Sequence, residues 1–280
     1  MKSKKFLVTT RNEAEIIADL IREKINFDVL ATNYTTEIKL IDTGHSYFFS
    51  ANSKLNFKLF GTLSTLKKET ANVTIAEDNE KNISYYSINK NNFKAANNKG
   101  SYKEVFNIDI TAAYVTVLKN KNYISEALYT KILKLPKMDR LAIVGMLATK
   151  KVIYEIRDGK EKSARIETDK ERRKIFFEAS KVIDEILFEC REAAGKSFLF
   201  FWVDGIYLKD KAAHDKIKSI LAANKLNYKE QVLTNFNYEV DSEVLTIHYE
   251  NEENTKKVFN IPLSQKEKVI TTIKKLTNEN

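Results

Sequence analysis

Apolar and polar positions recur along this chain in short blocks, some at period two and some at helical spacing, which predicts interleaved strands and helices. Strand-like pieces fall at residues 5–9, 27–30, 37–41, 47–50 and 57–60. Asn12 stands as the N-cap of a helix whose apolar positions Ala14, Ile17, Leu20 and Ile21 share one face. Residues 62–100 are polar and rich in Asn and Lys, with a strand-like island at 83–88 and a turn or loop at 97–100. Next comes VFNIDITAAYVT, residues 105–116, a strand that ends at Asp109 and passes at once into a helix over 112–120. Ser125 opens a second helix over 125–135, Pro136 interrupts, and a third is predicted over 137–153.

Residues 157–174 read as a polar connection carrying a basic patch at Arg172, Arg173 and Lys174. An amphipathic helix follows over 175–193, with Phe176, Ala179, Val182, Ile183, Ile186 and Cys190 on one face and Asp184, Glu185 and Glu189 off it. It leads into FLFFWVDGIYLK, residues 198–209, a β-hairpin with Asp204-Gly205 at its turn. A further helix at 212–224, strands at 231–236, 244–249 and 257–261, and a Lys-rich helix after Pro262 complete an α+β chain.

Composition narrows this little. With 280 residues, 43% of them apolar and 30% charged, the chain can bury a core and is not of the disordered class. It has no run of about 18 apolar residues, and an N-terminus that turns polar too soon for a secretory signal. With Cys190 as its one cysteine it has no internal disulfide, in keeping with a reducing cytoplasm. The net charge of +9 favours a polyanionic partner, nucleic acid first, although a Lys- and Asn-rich coding bias gives a similar balance.

Asp109 at the end of a strand and Asp204 in a hairpin are the candidate chemistry. Two divalent ions that polarise a phosphate and activate a hydroxyl need bridging carboxylates, and Mg²⁺ takes oxygen ligands. The two Asp side chains suffice if their strands are neighbours, with backbone carbonyls at Ile110 and Val203 as further donors. Taken singly, each has an ordinary structural reading: Asp-Gly is a common hairpin turn, and Asp before a helix a common cap.

Order and flanks add a resemblance. Residues 97–209 resemble the palm and fingers of family B DNA polymerases, in particular the compact protein-primed phage type. The family's first palm motif, D-x-x-S-L-Y-P-S, is matched by Asp109-Ile-Thr-Ala-Ala-Tyr114-Val-Thr116, which keeps Asp and Tyr while Ala112, Ala113 and Val115 replace Ser, Leu and Pro. In the fingers motif, Lys137 and Gly145 keep the family's spacing, while Leu141, Ala142 and Val144 replace Asn, Ser and Tyr. The third motif, Y-x-D-T-D-S, is matched by Trp202-Val-Asp204-Gly, with Trp202 at the first Asp and Asp204 at the second. Asn97–Gly100 stands where the family keeps a Gly-bearing loop on the template strand. Lys256 and Lys257 before Val258-Phe259 stand where it has a Lys-x-Tyr. The exonuclease motif Asp-x-Glu has only an echo at Asp28, so no proofreading is expected.

The resemblance implies a polymerase-type palm with a mixed or antiparallel sheet backed by helices. Residues 1–96 would form an N-terminal α+β region, 97–210 the palm with reduced fingers at about 120–175, and 211–280 a thumb-like completion. Asp109, Asp204 and the Ile110 carbonyl would hold two Mg²⁺ or Mn²⁺ ions. Tyr114 would lie under the incoming sugar, and Lys137, with Lys134 and Arg140, would meet the triphosphate. Lys99, Lys150, Lys151, Arg172, Arg173, Lys174, Lys256 and Lys257 would track DNA phosphates. The expected protein is a minimal template-directed DNA polymerase of a phage or mobile element, in the cytoplasm of a bacterial host. Its partners would be template, primer, deoxynucleotides and a replication protein, and not a membrane. Three other readings stay open: a palm-derived DNA-binding or replication-initiation protein without catalysis, a primase-like enzyme, and an ordinary basic α+β domain.

Overall fold

A computed structural model describes residues 5–7, 13–32, 35–50, 57–77, 79–94, 98–241, 244–250 and 256–262. In chain order they form β1 (Lys5–Leu7), α1 (Glu13–Arg22), β2 (Phe27–Ala31), β3 (Thr35–Leu40), β4 (Ser46–Ser50), α2 (Phe57–Glu69) and β5 (Tyr86–Ile88). There follow β6 (Lys99–Tyr102), β7 (Val105–Ile110), α3 (Ala113–Asn120), α4 (Glu126–Leu133), α5 (Lys137–Gly145), β8 (Lys150–Arg157) and β9 (Lys160–Thr168). The last elements are α6 (Lys170–Ala194), β10 (Phe198–Trp202), β11 (Gly205–Leu208), α7 (Ala212–Ala223), β12 (Tyr228–Val240), β13 (Val244–Glu250) and β14 (Lys256–Pro262). Asn12, Asn97 and the expected helix after Pro262 lie outside the described residues. Among the described residues, no helix is long and apolar enough to cross a membrane.

The fold is mixed α+β, and the chain divides into two compact units, Met1–Ile75 with Thr130–Phe176 and Ala76–Tyr129 with Phe177–Asn280. The expected fingers segment, about 120–175, overlaps the excursion Thr130–Phe176 that belongs with the N-terminal residues.

The first unit holds a six-stranded sheet in the order β1-β4-β3-β2-β8-β9, with β1 parallel to β4 and the other pairs antiparallel. Ile16 and Leu20 of α1 pack into a cluster with Phe27, Val29, Ile38 and Ile156. Three expectations fail here. Residues 57–60 are not a strand but the first turn of α2, because Leu59, Thr62, Leu66 and Thr70 are buried at helical intervals that a four-residue window cannot display. The third helix ends at Gly145, and Lys150 and Lys151 open strand β8, whose β-branched and aromatic residues pair with β2. The polar connection 157–174 is instead the turn Asp158-Gly159, strand β9 and the start of α6, so the patch Arg172–Lys174 lies on the first turns of a helix. Asp158 and Gly159 have φ of +52° and +71°, which suits the primed turn that closes a two-residue hairpin.

The second unit holds an eight-stranded antiparallel sheet in the order β14-β13-β12-β7-β11-β10-β5, with β6 also paired to β12. One face carries the cluster Val105, Phe200, Tyr207, Leu233, Phe236, Tyr238, Leu245, Ile247 and Tyr249. On the other, Phe201 meets Phe188 of α6 edge to face at 5.1 Å. Lys99 and Gly100 are not in a loop but in β6, and Gly100 sits opposite Tyr238 of β12. A Cβ on Gly100 would stand 2.8 Å from Tyr238 Cε1 and closer still to Cζ and Oη, so the glycine makes room for the ring.

Candidate functional site

Strand β7 brings Asp109 to the end of the sheet. The chain turns there through Ala112, which has φ +51°, and α3 begins at Ala113 with Tyr114 on its first turn. Thr111 N–H donates to Asn227 O at 2.7 Å, and Thr116 N–H and Oγ1 both donate to Ala112 O, at 3.0 and 3.1 Å.

Strand β11 is the antiparallel neighbour of β7, and Gly205 is the register partner of Asp109. Ile110 N–H donates to Asp204 O at 2.9 Å, which makes Asp109 and Gly205 a non-hydrogen-bonded pair, the kind with the closest Cα atoms and side chains. A Cβ on Gly205 would lie 3.6 Å from Asp109 Oδ1. Asp204 is the residue before Gly205, so both carboxylates belong to one end of adjacent strands. The Ile110 carbonyl leaves its strand on the same side as the Ile110 N–H, toward Asp204.

The turn is shifted from the expected Asp204-Gly205. Trp202 pairs with Gly205, so Val203 and Asp204 are the central residues. Val203 has φ +58°, a left-handed conformation that a β-branched residue seldom adopts.

Three tyrosine phenols feel the charge of the two carboxylates. Burial first, and then the charge of Asp204 together with Tyr85 and Asp184, holds the Tyr114 phenol well above its usual pKa. Burial also raises the Tyr207 phenol, helped by a hydrogen bond to Tyr249 and the charges of Asp109 and Asp204. Burial and Asp109 raise Tyr249, although its bond with Tyr207 acts the other way. All three phenols therefore stay neutral at ordinary pH.

Two features escaped the sequence reading. Lys229 of β12 is the register partner of Asp109 on the side away from Gly205 and is exposed, so a cation flanks that carboxylate on the same sheet face. Asp184, expected off the buried face of its helix, is buried. Its Oδ2 accepts Ser84 N–H at 2.8 Å and its Oδ1 accepts Tyr85 N–H at 2.9 Å. Tyr85 has φ +57°, and its carbonyl accepts Val203 N–H at 2.7 Å. Its link to the hairpin is a tertiary contact with no local sequence signal.

The other expected site residues are placed as follows. Lys134 and Lys137 are exposed in the first unit. Arg140 Nη1 donates to Leu133 O at 3.0 Å and Leu135 O at 3.3 Å, closing the end of α4. Lys150 and Lys151 are exposed on β8. Arg172 pairs with Asp169, Arg173 Nη1 donates to Ala148 O at 2.9 Å, and Lys174 Nζ meets Glu171 at 3.2 Å. In the second unit Lys99 Nζ meets Glu239 at 3.3 Å. The backbone of Lys256 and Lys257 runs in β14, and their side chains lie outside the described ones. Asp28, the echo of an exonuclease motif, pairs with Arg157 at 2.8 Å.

Among the described residues, no group of three or more His, Cys, Asp or Glu side chains gathers as a metal site. Two carboxylates and a strand-end carbonyl are nonetheless the hard oxygen set that suits Mg²⁺, which keeps several waters and completes its shell with substrate phosphate. No known protein family matches this chain, and no curated protein matches it.

Proposed function

We propose that the second unit is a polymerase palm of the family B type and that the protein is a minimal DNA polymerase adding deoxynucleotides to a primer on a DNA template. The observation that carries this reading is the Asp109–Gly205 pairing, which brings Asp109 and Asp204 to one end of neighbouring strands. Asp109 and Asp204, with the Ile110 carbonyl, would hold two Mg²⁺ ions. When bound, the ions supply charge to activate the primer hydroxyl and to neutralise the departing pyrophosphate.

The chain's own groups orient and select. Tyr114, neutral and close enough to feel Asp204, forms the floor for the sugar and leaves no room for a ribose 2′-hydroxyl. Lys229 neutralises phosphate beside Asp109. The net charge of +9 favours the nucleic-acid backbone as partner. Arg140 has no nucleotide role, because its Nη1 donates to the carbonyls of Leu133 and Leu135.

Manganese titration followed by electron paramagnetic resonance tests the ion-binding half of the proposal. Two Mn²⁺ per chain are expected, with loss of both high-occupancy sites in Asp204→Asn. Equal binding by the variant and the parent protein would refute the assignment.

A further inference from the structure

We infer that Asp184 is a positioning residue that sets Asp204 through the backbone of Tyr85 and Val203. Asp184 lies in the interior of α6, 20 residues from Asp204 and 99 from Tyr85 in sequence. A buried carboxylate is costly unless hydrogen-bonded, and this one accepts two consecutive backbone N–H groups, those of Ser84 and Tyr85. The pair of bonds holds Tyr85 at φ +57°. That conformation aims the Tyr85 carbonyl at Val203 N–H, 2.7 Å away.

The last link explains the odd hairpin. Asp-Gly at the two central positions is the most comfortable two-residue turn, and Asp158-Gly159 in the same chain adopts it. At the second Asp-Gly the turn is moved back by one residue, and Val203 takes the left-handed position at φ +58° in place of a residue suited to it. Strain of this kind persists only where the surroundings over-determine it. The Tyr85 carbonyl is the surrounding group that grips Val203, and Asp184 is what fixes Tyr85. In the shifted turn Asp204 is a central residue, its carbonyl on Ile110 N–H; in the relaxed turn it would move one position and its carboxylate would leave the Asp109 edge.

The inference has one test independent of metal or activity and one that depends on the polymerase reading. In the first, exchange of the Val203 amide proton is followed by NMR in the full chain. Asp184→Asn removes one acceptor, and loss of the grip on Tyr85 should speed Val203 exchange about tenfold, the equivalent of one hydrogen bond. Val203→Gly removes the strain, and in that background Asp184→Asn should change the exchange of residue 203 by less than about twofold. A Val203 rate unchanged by Asp184→Asn in an otherwise folded protein would overturn the inference. An equal acceleration with and without Val203→Gly would overturn it too, because it would mark a general loosening. Should Asp184→Asn not fold, Asp184→Glu replaces it, with the same exchange readout and the same outcomes.

In the second, Mn²⁺ affinity is measured on the same proteins. It should weaken about tenfold in Asp184→Asn and recover in the double variant. This arm rests on Asp204 being a metal ligand. Parent protein that binds no Mn²⁺ would count against the polymerase reading, and the exchange data would still decide on Asp184.

Discussion

Gly100→Ala adds one methyl group at a place where the surrounding geometry is defined. Tyr238 lies across Gly100 in the β6–β12 pair, and the new Cβ would stand 2.8 Å from its Cε1 and closer to Cζ and Oη. Carbon pairs settle at about 3.5–4.0 Å, so the ring has to retreat by about an ångström. It has little freedom to do so. Phe93 meets the Tyr238 ring edge on at 5.0 Å, Tyr102 stacks on it at 5.9 Å, and Tyr238 is itself buried. Overpacking of this kind costs about 1–3 kcal/mol. Replacing glycine returns about 0.4–1 kcal/mol by restricting the unfolded chain, so a net loss of about 1–2 kcal/mol is expected. For a unit of this size that lowers Tm by about 2–8 °C. Trp202, the one tryptophan of the chain, lies in the same sheet, so its fluorescence reports thermal or urea unfolding of this unit. Tyr238→Leu should be destabilising alone but should recover part of the loss when combined with Gly100→Ala. An unchanged or higher Tm for Gly100→Ala would refute the packing argument.

Further outcomes follow from the same structure. Phe200 is fully buried and stacks on Tyr207 with centroids 4.0 Å apart, so Phe200→Ala should cost about 3–5 kcal/mol in urea unfolding; a loss below about 1 kcal/mol would contradict the core assignment. His214 is buried, and burial lowers its pKa despite Glu230 nearby, with Asp215, Lys211 and Lys218 around it. The unfolded chain then takes the proton more readily. The contribution to stability is complete above the unfolded value near 6.5 and falls away as pH drops toward the folded value. Stability of His214→Gln should depend less on pH between about 5 and 7 than that of the parent, and a parallel dependence would exclude His214 as its source. Lys229→Ala should weaken DNA binding alike for all sequences and reduce the slope of log K against log salt by about 1; an unchanged slope would mean that Lys229 meets no phosphate.

The fates of two Asp-Gly pairs show what the chain's pattern reveals and where it stops. Asp158-Gly159 forms the regular turn, yet residues 157–174 look like a polar linker, because β9 buries almost nothing and is held by pairing with β8 rather than by an apolar face. Asp204-Gly205 looks like the regular turn and is shifted, because Val203 N–H donates to the Tyr85 carbonyl, and Tyr85 N–H in turn donates to Asp184, contacts remote in sequence that override local preference. The strand carrying Asp109, the helix carrying Tyr114 and the hairpin carrying Asp204 were legible because each has a strong periodic pattern of its own. That β11 lies beside β7 was not, since strand pairing is a tertiary fact. Lys229 was invisible for the same reason: it becomes a neighbour of Asp109 only through the register of β12 on β7. Arg140 and Arg173 read as free cations in the sequence, and both use their guanidinium groups on backbone carbonyls.

Extension of a labelled primer on a DNA template, with Mg²⁺ and with Mn²⁺, tests the central claim most directly. The parent protein should extend the primer only when divalent metal is present. Asp109→Asn and Asp204→Asn should each abolish extension while still binding DNA, and Gly205→Ala, whose Cβ meets only ordinary contacts, should retain it. No extension by the parent under either metal, or extension that persists in Asp109→Asn, would contradict the polymerase reading.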